Sequence, residues 1–155
     1  HITMSLFDPK EKTVVIILTN AMSSPTEYIN KNIFKILGYF QEKWKRPKAN
    51  DLSKYQGRFM GLWHITDFIS LGHKLVAVSS DTWDPFKKPK ELEYVKDSTF
   101  KITKTSSFGS EGELINFHFD KSGRVESVIY AGEKLLPEEQ YIRKISKKRR
   151  IELES

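Results

Sequence analysis

Between residues 55 and 145 the chain changes texture every few positions, and this constrains its fold more than any other feature. Eight short alternating or apolar segments, at 55–60, 63–71, 74–79, 92–95, 99–103, 114–119, 124–130 and 141–145, are separated by turn signals. Eight short strands in so little chain require an all-β sandwich or barrel, and successive hairpins close into a barrel most simply. Some faces can be assigned. Ile115, Phe117 and Phe119 alternate with Asn116 and His118, so the apolar set points inward and His118 outward. Asp120-Lys-Ser-Gly123 closes a hairpin, with Gly123 supplying a positive backbone angle. Leu71-Gly72-His73-Lys74 makes a similar turn, with Trp63, Ile65, Ile69 and Leu71 sharing one face before it and Leu75 and Ala77 one after it.

The preceding residues read differently. Ile2-Thr-Met-Ser-Leu-Phe7 and Thr13-Val-Val-Ile-Ile-Leu18 are strand-like and joined by Asp8-Pro-Lys-Glu-Lys12, a hairpin pattern. The second run is apolar at five consecutive positions, as in a strand covered on both faces inside a larger sheet. Ser24-Pro-Thr-Glu27 then starts a helix, with Pro25 suited to its first position and Glu27 to a capping box. Ile29, Ile33, Ile36, Leu37, Phe40 and Trp44 are spaced as one apolar stripe, expected to lie on the hairpin. The fold class is therefore mainly β (α+β). Residues 1–45 form a hairpin and helix, 46–51 a polar linker, 52–146 a barrel domain of eight antiparallel strands, and 147–155 a basic tail.

The net charge of +6 is local. Six of the 26 Lys and Arg residues fall within 143–150, which leaves 20 against 20 acidic groups elsewhere. The expectation is a solvated basic end able to contact anionic surfaces, with no specific nucleic-acid partner. Hydrophobic residues make up 38% of the chain, enough for a packed core. No apolar run approaches the ~18 residues of a membrane span. Without cysteine, disulfides and thiolate metal sites are excluded.

Three motifs imitate those of acyl-serine enzymes: Ser98-Thr-Phe-Lys101, Tyr28-Ile-Asn30 and Lys104-Thr-Ser106. A nucleophilic Ser and its Lys must share a helical face. Residues 99–103 read as a strand, where an odd separation sends the two side chains to opposite faces. The histidines, His1, His64, His73 and His118, have no metal-ligand spacing. No catalytic residue, metal or cofactor is therefore expected. Trp63, Phe68, Trp83 and Phe86 are the candidates for lining an apolar ligand site in the barrel interior or mouth, with core packing as the alternative for most of them.

The stretch Phe7-Asp-Pro-Lys-Glu-Lys-Thr-Val-Val-Ile-Ile-Leu-Thr-Asn20, followed by a capped helix, resembles the last two strands and final helix of the β-lactamase-like, class C-type serine hydrolases. Leu52-Ser-Lys-Tyr-Gln-Gly-Arg-Phe59, residues 92–100 and Phe117-His-Phe-Asp-Lys-Ser-Gly-Arg-Val125 resemble the lipocalin-like barrel often appended to them. The resemblance implies that the family's catalytic motifs lie before residue 1, in a parent acting on ester, amide or β-lactam bonds through an acyl-serine. This chain would then be a non-catalytic accessory part whose partner is that parent's catalytic domain. A bacterial envelope or secreted parent is implied, and a cytoplasmic one stays open. The alternative is a stand-alone lipocalin-like binder of a small apolar or wall-derived ligand. If its home sheet is missing, the hairpin of residues 2–18 is expected to pair with a second copy, fold against the barrel or aggregate.

Overall fold

The hairpin forms where the sequence places it. In the computed structural model, which describes residues 1–41, 51–63, 65–105 and 111–154, β1 (Ile2–Asp8) and β2 (Thr13–Thr19) make a two-stranded antiparallel sheet. Asp8 shapes the turn, its carboxylate accepting from the backbone N–H groups of Lys10 (2.9 Å) and Glu11 (3.1 Å). Helix α1 (Thr26–Gln41) follows, its first turn closed by the Ile29 N–H on the Pro25 carbonyl at 3.1 Å. A short 3-10 turn (Leu52–Tyr55), capped by the Asp51 carboxylate, leads into the barrel.

Eight strands close that barrel: β3 (Gly57–Met60), β4 (Ile65–Leu71), β5 (Lys74–Ser79), β6 (Lys90–Lys96), β7 (Thr99–Lys104), β8 (Leu114–Phe119), β9 (Val125–Tyr130) and β10 (Glu133–Pro137). All neighbours are antiparallel, and closure comes from β10 pairing β3 through Leu136↔Met60 and Pro137↔Phe59. Seven of the eight strands overlap the segments read from the sequence. The eighth does not. Residues 141–145 belong to helix α2 (Glu138–Glu154), and the barrel ends instead with β10. Two consecutive positive backbone angles, Ala131 (φ 51°) and Gly132 (φ 71°), make the tight turn that brings β10 back along β9. The tail expected to be a free basic end is likewise helical, with Glu138 and Glu139 in its first turn, where a helix dipole favours acids.

Packed side chains fill the barrel. Tyr55, Phe59, Phe68, Phe100 and Phe117 are almost fully buried with Leu75, Ile102, Ile115, Val128 and Leu135. Their rings meet edge to face, Phe117 lying 5.0 Å from Tyr55, 5.0 Å from Phe68 and 5.6 Å from Phe100. Ile115 and Phe117 point inward and His118 outward, as the alternation requires. On β4 the inward side chains are Thr66 and Phe68. Ile69 and Leu71 face out, into a second cluster with Val76, Val78 and Phe86 that α1 covers with Ile36 and Tyr39.

Candidate functional site

The hairpin's two faces differ sharply. Side chains alternate along both strands, so Ile2, Met4, Leu6, Val15 and Ile17 turn toward α1 and are partly covered. Asn30 ties the helix to both strands: it is fully buried, and its Nδ2 donates to the Met4 carbonyl (3.1 Å) and the Val15 carbonyl (3.2 Å). The opposite face is bare. Phe7 pairs across to Val14, while Ile16 and Leu18 lie opposite Ser5 and Thr3; all four apolar side chains are more than half exposed, Leu18 to 75%. Met22, just beyond, is exposed as well. The hairpin forms its own sheet, so β1 and β2 each offer an outer edge without a strand partner among the described residues. A contiguous apolar strip bounded by two open strand edges is the surface composition of an interface.

The predicted stripe on α1 is divided between two surfaces. Ile33, Ile36 and Leu37 are partly buried, Ile29 and Phe40 are exposed, and Trp44 lies outside the described residues. The helix lies on the hairpin with one part of its circumference and on the outside of the barrel with another, and neither contact uses the full stripe. Its barrel contact is polar as well as apolar. Lys35 Nζ donates to the Phe86 carbonyl at 2.7 Å and lies 3.4 Å from the Asp84 carboxylate. Beside it, the Glu91 carboxylate, 11% exposed, accepts from Lys74 (2.8 Å) and Tyr39 (3.4 Å) and pairs with Lys104 (3.3 Å). Burial raises the Glu91 pKa, but the hydrogen bonds and charges of Lys74 and Lys104 outweigh it and hold the carboxyl below its ordinary value.

The four candidate ligand residues do not share one site. Phe68 is in the barrel core, 1% exposed. Phe86 is buried too, but outside the barrel wall, in the cluster under α1. Trp63 and Trp83 are exposed on separate loops, β3–β4 and β5–β6. Phe68 packs in the barrel core and Phe86 in the cluster under α1, and aromatic rings occupy the barrel interior.

The imitation motifs are scattered. Tyr28 and Asn30 sit on α1, one exposed and one buried. Ser98 shares with Asp97 a turn in which both backbone angles are positive (46° and 63°), Lys101 is exposed on β7, and Ser106 lies outside the described residues. Among the described residues no cluster of His, Asp or Glu is arranged to hold a metal ion. His64 lies outside them.

Sequence reading missed Asn30 and Glu91 as tie points. A polar residue within the apolar stripe of α1 was the available signal for Asn30. No family model matches this chain, and no curated protein matches it.

Proposed function

We propose that this chain is a non-catalytic accessory part of a β-lactamase-like serine hydrolase. In this reading β1, β2 and α1 complete the sheet of the catalytic domain, and the barrel packs on that domain or restricts access to it. One observation carries the reading: the hairpin has a helix on one face, and Phe7, Val14, Ile16 and Leu18 bare on the other between two open edges. A terminal piece of a larger sheet has this form, because the remaining strands would satisfy an edge and neighbouring layers the exposed face. The linear resemblance of residues 7–20 to the end of that catalytic domain supplies the chemical class.

The test is covalent labelling read by intact mass. The chain of residues 1–155 is incubated with a penicillin and, separately, with a fluorophosphonate. The protein encoded by the whole reading frame is treated in the same way. The expected result is no adduct on residues 1–155 and a stoichiometric adduct on a serine upstream of them in the full protein. A stoichiometric adduct within residues 1–155, lost in Ser98→Ala, would overturn the proposal, and so would a full protein that takes no label.

A further inference from the structure

The ten residues between β5 and β6 form a loop tied to α1. Phe86 anchors it in the cluster beneath α1, Lys35 clamps it at the Phe86 carbonyl and the Asp84 carboxylate, and the Lys87 N–H closes a turn on the Asp84 carbonyl at 3.0 Å. Pro85 and Pro89 restrict it further. Facing the start of α1 across this loop is a cleft of about 340 Å³, lined by Tyr28, Thr82, Trp83, Lys87, Lys88 and Lys90 among others. That volume lies at the lower end of the ~300–1,000 Å³ typical of small-molecule sites.

We propose that this cleft binds a phosphorylated ring compound of mononucleotide size, the ring against Trp83 and the phosphate at Lys87 and Lys88. Its charge points to an anion. Asp84 is the one carboxylate among the lining residues, and Lys35 already faces it from α1. Lys87 and Lys88 are exposed and have no ion-pair partner among the described residues, while Lys90 rests its ammonium 5.4 Å from the Tyr130 ring. The ammonium groups of Lys87 and Lys88 therefore give the cleft an excess of positive charge.

Lysine ammonium groups act as point charges and can meet a compact, multiply charged phosphate. Trp83 supplies the rest. Its indole is 75% exposed on a loop whose neighbouring Phe86 is buried, so packing does not account for it, and a base or other flat ring gains by covering it. The inference does not depend on docking to a catalytic domain, because Trp83, Lys87 and Lys88 belong to the β5–β6 loop and Tyr28 to α1.

Calorimetric titration of the intact chain with ADP, adenosine, pyrophosphate and a short single-stranded oligonucleotide tests it, with the indole N–H resonance of Trp83 as a site-specific reporter. ADP should saturate below about 1 mM, weaken as salt rises and shift the Trp83 resonance, with adenosine and pyrophosphate each at least tenfold weaker. Trp83→Ala and the pair Lys87→Ala/Lys88→Ala should each weaken ADP roughly tenfold, as loss of one stacking or charge contact implies. Lys121→Ala, in the β8–β9 turn at the opposite end of the barrel, should leave binding unchanged. Absence of saturation by ADP, equal affinity for pyrophosphate, indifference to Trp83→Ala in a variant of unaltered circular dichroism, or an oligonucleotide that displaces ADP at equal phosphate concentration would each overturn the assignment.

Discussion

Replacing Phe117 by alanine distinguishes a packed barrel from a hollow one. Its ring is 4% exposed and meets Tyr55, Phe59, Phe68 and Phe100 at centroid distances of 5.0, 6.3, 5.0 and 5.6 Å. Removing it takes away a buried apolar side chain and four edge-to-face partners at once, and leaves a void that the remaining rings cannot close without leaving their rotamers. Phe→Ala in a packed core costs about 3–5 kcal/mol. The number of ring partners places Phe117 in the upper half of that range, since each aromatic pair adds roughly 0.5–1.5 kcal/mol beyond area burial. A loss of about 4 kcal/mol corresponds to a fall in Tm of roughly 8–16 °C for a chain of this size. Urea unfolding followed by circular dichroism, with a thermal melt, measures both. Trp63→Ala, at a side chain 80% exposed, should change stability by less than about 0.5 kcal/mol and serves as the comparison. If Phe117→Ala costs less than about 1 kcal/mol, the barrel tolerates empty space at its centre and its interior is not a close-packed core.

The bare hairpin face should make the isolated chain self-associate with rising concentration; Ile16→Lys/Leu18→Lys should leave a monomer in sedimentation velocity, and a wild-type chain that stays monomeric would contradict the interface reading. Asn30→Ala should cost about 2–3 kcal/mol, because the variant loses two donor bonds to the Met4 and Val15 carbonyls, and hydrogen exchange should quicken in β1 and β2 while β4 and β8 stay protected. Glu91 has a folded-state pKa below its unfolded value, so its contribution to stability is present above the unfolded carboxyl range and is lost as pH falls through the folded value. Glu91→Gln should therefore flatten the acid limb of the stability profile, and an unchanged limb would remove Lys74 and Lys104 from the account.

Period-two patterning made most of the barrel legible, because β3 to β9 each carry an inward apolar set flanked by turn residues. It failed where a strand offers little of that pattern. In β10 the run Glu133-Lys-Leu-Leu-Pro137 contains no β-branched residue and buries Leu135 alone completely, so its turn, Ala131-Gly132, was the stronger sign. Tyr141 and Ile145 stand four apart, a spacing that a strand and a helix both allow; Glu138 and Glu139, placed as first-turn acids, favour the helix. On β4 both faces are apolar, Phe68 within and Ile69 and Leu71 beneath α1, so alternation groups the residues without saying which group faces the core. The same ambiguity hid the positions of Trp63 and Trp83, since an aromatic residue beside a turn can cap a core or stand in solvent. Five consecutive apolar residues in β2 predict a strand covered on both faces, whereas α1 covers one face and Val14, Ile16 and Leu18 on the other are exposed.

Helix α1 links these features mechanically. It is held to the hairpin by Asn30 and to the barrel by Ile36, Tyr39 and the Lys35 clamp on the β5–β6 loop, so the hairpin and barrel share one support. A partner docked on Phe7, Val14, Ile16 and Leu18, as proposed, would be connected to the barrel through this helix. Tyr28 lies in the first turns of α1 and lines the cleft that also holds Trp83, so the cleft sits on the same seam. If the helix shifts when the hairpin docks, Tyr28 moves relative to Trp83, and ligand affinity changes with it. By linkage, a ligand bound in the cleft would alter docking by the same factor.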